Sequence, residues 1–168
     1  QQEDKRKVEG NFTNKSGNWS FDLETYNKSQ TLIIDPLIYA TYIGGSHYDE
    51  AHSIAVDASN NVYVSGFTYS SDFDITAGAF QSSIAGDWDI FVSKLNADGT
   101  DLIYSTYIGG SGSDFAVSNA VDANNNLYIT GYTTSTNYIT TAGAFQTINN
   151  GGVDGFITKL NASGTALI

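Results

Sequence analysis

The chain repeats itself. Residues 39–103 return as 104–168 at a constant offset of 65, with no insertion or deletion, and 37 of the 65 aligned pairs are identical. Thr41–Ser46 (TYIGGS) returns as Thr106–Ser111, Ala55–Ala58 (AVDA) as Ala120–Ala123, Thr76–Gln81 (TAGAFQ) as Thr141–Gln146, and Lys94–Ala97 (KLNA) as Lys159–Ala162. A period of this length marks an architecture in which each unit covers its apolar face with the next copy. It also argues against catalysis, because a reacting site is usually built once.

The order of residues inside one period predicts sheet. Four strand-like runs occur per copy, Ser53–Asp57, Asn61–Thr68, Asp89–Leu95 and Leu102–Ile108 in the first, rich in Val, Ile, Tyr and Phe. Ala58–Asn61 and Asn96–Thr100 read as hairpin turns, the second with Gly99 placed for positive φ. Nothing sustains a helical period, although Thr76–Phe80 and Thr141–Phe145 suit a short helical turn. Four antiparallel strands per repeat, with Gly44-Gly45 and Gly109-Gly110 between units, describe propeller blades, two of them and therefore an incomplete ring. A linear stack of sheets is the alternative geometry. The repeated pairs Tyr63/Tyr128, Phe91/Phe156 and Phe80/Phe145 are expected to fill the space between blades. The expected organisation is a β segment over 1–38 from a preceding domain, one blade over 39–103 and a second, truncated, over 104–168. In the first segment Val8–Phe12, Trp19–Leu23 and Thr31–Asp35 look like strands. The chain has no Met, even at position 1, and stops at Thr165-Ala-Leu-Ile168 where the first copy runs on into Tyr104-Ser-Thr-Tyr107; we expect a piece of a longer polypeptide.

Several motifs resemble, in order, the SBBP repeat, the bacterial seven-bladed β-propeller repeat. These are Tyr104–Asp114 (YSTYIGGSGSD), Ala120–Thr133 (AVDANNNLYITGYT), Thr140–Gln146 (TTAGAFQ) and Phe156–Asn161 (FITKLN), with their counterparts in the first copy. Thr31–Tyr39 resembles the end of a β-rich domain that often precedes such repeats. The resemblance implies a large secreted or cell-surface bacterial protein, with adhesion modules among its frequent companions. It implies no defined ligand and no catalytic residue. The expected function is a non-catalytic binding or scaffold module, adhesion-related. The alternatives are a building unit of an extracellular filament or stalk, and an accessory part of a polysaccharide-acting enzyme.

Charge narrows the partners. Residues 39–168 carry two Lys against twelve Asp and Glu. A field of that sign repels phosphate backbones and anionic headgroups, which excludes nucleic acid as a partner. No segment is long and apolar enough to span a bilayer, so membrane insertion is not expected. The partners left are a protein or glycan on an extracellular surface, or further copies of the chain. The absence of Cys excludes disulfides and thiolate metal sites.

Candidate ligand-binding residues lie where the copies differ, together with the adjoining Asp89, which returns as Asp154. Trp88 stands where the second copy has Val153, in a loop flanked by Asp87 and Asp89; an exposed Trp there could stack on a sugar or anchor a protein. His47 faces Gly112, and Asp72 and Asp74 face Asn137 and Ile139. His52 faces Val117. Asp72-Phe-Asp74 and Asp87-Trp-Asp89 are also candidate cation sites. Asp122, Asn124 and Asn126 place oxygens at the first, third and fifth positions of a calcium loop, with Asp57 the first-copy counterpart, but the following Gly and the bidentate Glu are lacking. Calcium is the one ion these turns would suit. No other cofactor is implied. The same Asp residues equally suit the capping of turn N–H groups.

Overall fold

The computed structural model describes residues 10–15, 18–23 and 39–168. The chain divides into two compact units, Gln1–Leu37 and Ile38–Ile168. In the first, β1 (Gly10–Lys15) and β2 (Asn18–Leu23) pair antiparallel from Gly10↔Leu23 to Lys15↔Asn18. The expected strand over Thr31–Asp35 lies outside the described residues.

The second unit is all strand and turn, with no helix among the described residues. Blade 1 is β3 (Asp49–Val56), β4 (Val62–Thr68), β5 (Asp89–Leu95) and β6 (Leu102–Ile108), paired antiparallel in that order. Blade 2 is β7 (Asp114–Val121), β8 (Leu127–Thr133) and β9 (Asp154–Leu160), with Leu167 bridging back to Leu160. The two sheets form part of a propeller rather than a closed ring. β6 crosses the point between 103 and 104 where the sequence copies meet, so blade 1 is completed by Tyr104–Ile108. The sequence period and the sheet are thus out of phase.

Local chemistry sets the turns. Asn60 and Asn125 both adopt φ 64°, closing three-residue hairpin loops with a residue that tolerates the left-handed region. Gly99 (φ 66°) and Gly164 (φ 73°) do the same in the later hairpins, and each lies under a tyrosine ring, Tyr39 and Tyr104 respectively, where a Cβ would collide. The helical turn suggested at Thr76–Phe80 is absent. Gly78 takes φ 81° and the Ala79 N–H donates to the Thr76 carbonyl at 3.2 Å, a type II β-turn, and Gly143 (φ 81°) repeats it.

Packing explains why the repeat must be tandem. One core cluster runs through both blades: Tyr63, Ile90, Val92, Tyr104 and Ile108 meet Ala116, Leu127, Ile129, Phe156 and Leu160. β5 is buried at every position, whereas β9, of nearly the same sequence, alternates between buried Phe156, Thr158 and Leu160 and exposed Gly155 and Ile157. Blade 2 covers the Val92 face of blade 1, and within residues 39–168 nothing covers the matching face of blade 2. Phe145 and Ile157 there are 106% and 83% exposed, beside a groove of about 820 Å³ lined by Tyr138, Phe156 and Ile168 among others. The expected inter-blade fillers therefore divide. Tyr63 and Phe156 lie in the shared core and Phe80 packs against it, but Phe91 turns to the opposite face of blade 1 and packs with Phe73 and Tyr107. Tyr128 and Phe145 are exposed, with no further sheet over them within residues 39–168.

This asymmetry is testable with one substitution made twice. Val92→Asp should destabilise the chain by at least ~3 kcal/mol, because it buries an unpaired charge between blades. Ile157→Asp, at the equivalent position, should change stability by no more than about 0.5 kcal/mol. Thermal and urea unfolding would measure both; equal effects would refute the blade-on-blade account.

Candidate functional site

A polar lock, built twice, fixes the end of each blade where β3 and β7 begin. In blade 2 the buried Asp114 carboxylate accepts from the Gly110 N–H at 2.7 Å, from the Ser135 hydroxyl at 2.8 Å and from the Thr133 hydroxyl. The Ser135 hydroxyl in turn accepts from the Gly112 N–H at 2.8 Å. In blade 1 Asp49 accepts from the Gly45 N–H at 2.8 Å, the Ser70 hydroxyl at 3.0 Å and the Thr68 hydroxyl, and the His47 N–H donates to Ser70 Oγ at 2.9 Å. The glycine pair is required by this approach: a Cβ on Gly109 would stand 2.5 Å from Asp89 Cγ and 2.9 Å from Asp114 Oδ2. Every lock residue is the same in both copies. The side chains between them, at 47, 48 and 69, are unconstrained by the lock, and these are the ones that differ.

In blade 1 those free positions carry rings. Tyr69 packs on Trp88 at 5.1 Å, Tyr48 on Trp88 at 5.4 Å and Phe67 on Trp88 at 5.4 Å between centroids. Phe67 meets Phe115 of blade 2 at 4.7 Å edge-on, and Phe115 stacks on Tyr132 at 4.9 Å. The result is a continuous aromatic patch across the blade boundary, outside both buried clusters. Tyr48, Tyr69 and Tyr132 remain 57%, 45% and 42% exposed, and Trp88, Phe67 and Phe115 are half-buried. Main-chain bonds hold it in place: the Tyr69 N–H donates to the Tyr48 carbonyl at 2.9 Å, and the Asp114 N–H donates to the Trp88 carbonyl at 2.7 Å.

Two histidines and an acid rim the patch. β3 skips register between Ala51 and Ser53, and His52 is the bulged residue; β7 bulges identically at Val117. A bulge re-aims its side chain, and His52 lies 5.1 Å from the Phe67 ring with Nε2 3.1 Å from Glu50 Oε1. The other Glu50 oxygen accepts from the Tyr48 hydroxyl at 2.6 Å, which holds that phenol above its usual pKa. His47 is exposed, with its ring 5.9 Å from that of Tyr69 and Nδ1 3.0 Å from Ser46 Oγ.

The structure joins some of the expected residues and separates others. Trp88 and His47 come together through Tyr69. Asp87 is exposed beside Trp88, and neither Asp87 nor Asp74 has a hydrogen-bond partner among the described residues. Asp89 is buried and holds its own loop, accepting from Gln81 Nε2 at 2.7 Å, Ala85 N–H at 2.8 Å and Gly86 N–H at 3.2 Å. Burial raises its pKa against those bonds, and the Asp114 charge adds to the rise. Asp72 accepts from the N–H and hydroxyl of Ser46 at 2.9 and 3.0 Å, as Asn137 does from Ser111, and the Ser46 N–H leads in lowering its pKa. Each D-x-D triplet therefore spends one carboxylate on the chain itself.

Asp57 and Asp122 act as turn caps. Asp57 accepts from the N–H groups of Ser59 and Asn61 at 2.9 and 3.0 Å, from Asn61 Nδ2 at 2.9 Å and from Tyr63 OH at 3.2 Å, with Lys94 Nζ at 3.2 Å. Asp122 repeats the pattern with the N–H groups of Asn124 and Asn126, both at 2.9 Å, and with Lys159 Nζ at 3.4 Å. Lys94 and Lys159 also lie over the Tyr63 and Tyr128 rings, at 4.6 and 4.8 Å. Among the described residues no three His, Asp or Glu side chains converge on one point.

Tyr48 and Tyr69 fall in the divergent segments 47–52 and 69–75, where the sequence places variable binding loops, but nothing in the sequence marks them, or Phe67, Phe115 and Tyr132, as one surface. The signal lay in the differences between the copies: Tyr48/Ser113, Tyr69/Thr134 and Trp88/Val153 are aromatic in one copy alone.

The cap also makes a pH prediction. Burial pushes the Asp57 carboxyl up, but the bonds from Asn61 and Ser59 and the Lys94 charge outweigh it and hold the group at about 2. The folded state is therefore the stronger acid. Its stabilising contribution is complete above the ordinary carboxyl pKa near 4 and disappears as pH falls toward 2. Asp57→Asn should lower the melting temperature at pH 7, where it leaves Lys94 unpaired. It should also flatten the further drop between pH 4 and pH 2; an unchanged acid limb would show that Asp57 does not carry it.

Residues 38–74 and 103–139 match the SBBP beta-propeller repeat. No curated protein matches the chain. The two matched segments begin at equivalent positions of the two copies, each entering the Gly-Gly-Ser loop and running through the polar lock. Each of the two copies thus carries an SBBP beta-propeller repeat.

Proposed function

We propose that the chain is a non-catalytic binding module of a secreted or cell-surface protein, and that its ligand sits on the aromatic patch. The observation that carries this reading is where the copies differ. Blade 2 builds the same strands and the same lock with Gly112, Ser113, Val117, Thr134 and Val153 in place of His47, Tyr48, His52, Tyr69 and Trp88. The fold does not need these rings, yet they gather on one surface. Half-exposed aromatic side chains held on a rigid sheet end are the composition of binding hot spots.

The test separates binding from scaffold. Tyr48→Ser, Tyr69→Thr and Trp88→Val together install the blade 2 residues. A binding surface predicts a stability change below about 1 kcal/mol. A scaffold role predicts a loss of at least ~3 kcal/mol, as for large core truncations. The latter outcome would defeat the proposal.

A second reading, a structural unit assembling with copies of itself, is favoured by the apolar face of blade 2 around Phe145, Ile148 and Ile157, which is exposed among the described residues. Sedimentation should then show concentration-dependent association that Ile157→Asp abolishes; a monomer at all concentrations would remove this reading.

A further inference from the structure

The chemistry of the patch narrows its ligand. The segments that carry the rings are residues 47–52, 67–69, 86–88, 111–117 and 131–133; they contain no Lys, Arg, Met, Leu or Ile, and Val117 is their one branched aliphatic residue. Protein-binding hot spots draw on Met and Arg beside the aromatics; here the neighbours of the rings are His, Glu, Asp, Ser, Thr and Gly. A pyranose has the complementary surface, with C–H groups on its faces that lie against aromatic planes and hydroxyls at its edge that seek acceptors and imidazoles.

Charge sets the kind of sugar. Glu50 bonds to two rim residues, and Asp87, exposed and without a hydrogen-bond partner among the described residues, precedes Trp88 in the chain. The two lysines of the repeats are held by Asp57 and Asp122, six residues further along β5 and β9 than Trp88 and its counterpart, about 20 Å away along a strand. Within residues 39–168 no Lys or Arg offsets the acids at the patch. Carboxylated or sulfated sugars are repelled, and an ammonium group is attracted both by the acids and by the ring faces.

We infer that the patch binds a glycan of uncharged or amino-bearing sugars, with Trp88, Tyr69 and Tyr48 as the stacking platform and Asp87 as acceptor for an ammonium or hydroxyl group. This rests on the binding reading above and names its ligand class. The run of rings from Tyr69 through Trp88 and Phe115 to Tyr132 suits an oligosaccharide rather than a single sugar.

The whole 168-residue chain would be titrated calorimetrically with hexasaccharides of N-acetylglucosamine, glucosamine and galacturonic acid. The first two should bind, glucosamine about three-fold tighter at low salt, with that margin lost in Asp87→Asn and at high salt. The galacturonate should not bind. The Tyr48→Ser, Tyr69→Thr, Trp88→Val variant should weaken binding by about ten-fold or more. A displayed peptide library would be panned in parallel on the chain and on that variant. Silence from all three saccharides, with peptides held only by the unsubstituted chain, would overturn the sugar assignment and leave the binding reading standing. Silence in both assays would overturn both. Binding of the galacturonate would overturn the charge argument.

Discussion

Everything in the repeated unit depends on one sheet covering the face of another. β5 and β9 are repeat equivalents that share four of seven residues, yet one is buried on both faces and the other on alternate residues. Val92 and Ile157 are equally apolar; the neighbour, not the side chain, sets their burial. A single blade would expose Tyr63, Ile90 and Val92 together, more contiguous apolar surface than a small sheet tolerates in water. Stacking converts that exposure into a shared core. The inner strands are then pinned by polar contacts, the Asn119 N–H donating to Ser53 Oγ at 2.9 Å and its amide to Ser65 Oγ at 2.8 Å.

With the faces committed to packing, the strand ends are where sequence is free to change. The polar lock determines how far that freedom reaches. Asp49 and Asp114 each collect a glycine N–H and two hydroxyls, which fixes the backbone of the Gly-Gly-Ser loop without using the side chains at 47, 48 or 69. Chemistry at those positions can therefore change at little cost to the fold. The caps at the other end show the opposite case. Asp57, Asn61, Tyr63 and Lys94 form one bonded group, and all four recur unchanged in blade 2. Replacing one would leave a buried charge or donor unpaired.

Much of this was legible in the residues. The strands, the hairpins, the left-handed Gly99 and the turn-capping alternative for Asp57 follow from period, turn chemistry and short-range spacing. What failed to show was whatever depends on a third dimension between repeats. Phe91 and Tyr63 both look like core in one dimension, but alternate side-chain direction along paired strands sends them to opposite faces. The type II turn at Gly78 looked helical because Thr-Ala-Gly-Ala-Phe has no strong strand former before Phe80. Asp72 and Asp89 looked like cation ligands because a spacing of two gives no sign that one acid will be consumed by a backbone N–H 26 residues away, or by its own loop. The patch itself was half visible: Trp88 stood out as unique, but its partners are tyrosines and phenylalanines of an ordinary kind until the fold collects them.

The residues at 50 and 115 show how a symmetric scaffold produces a single asymmetric site. They are the same repeat position. In blade 1 it is Glu50, which bridges the Tyr48 hydroxyl and the His52 imidazole and so orients two rim residues. In blade 2 it is Phe115, which reaches back across the boundary to Phe67 and carries the ring surface on to Tyr132. A second Glu at 115 would set a carboxylate against the Phe67 ring and interrupt the patch. A second Phe at 50 would remove the only acid shared by Tyr48 and His52. Each blade needs the residue it has because of what the other blade presents, so the site belongs to the boundary between the copies and to neither copy alone.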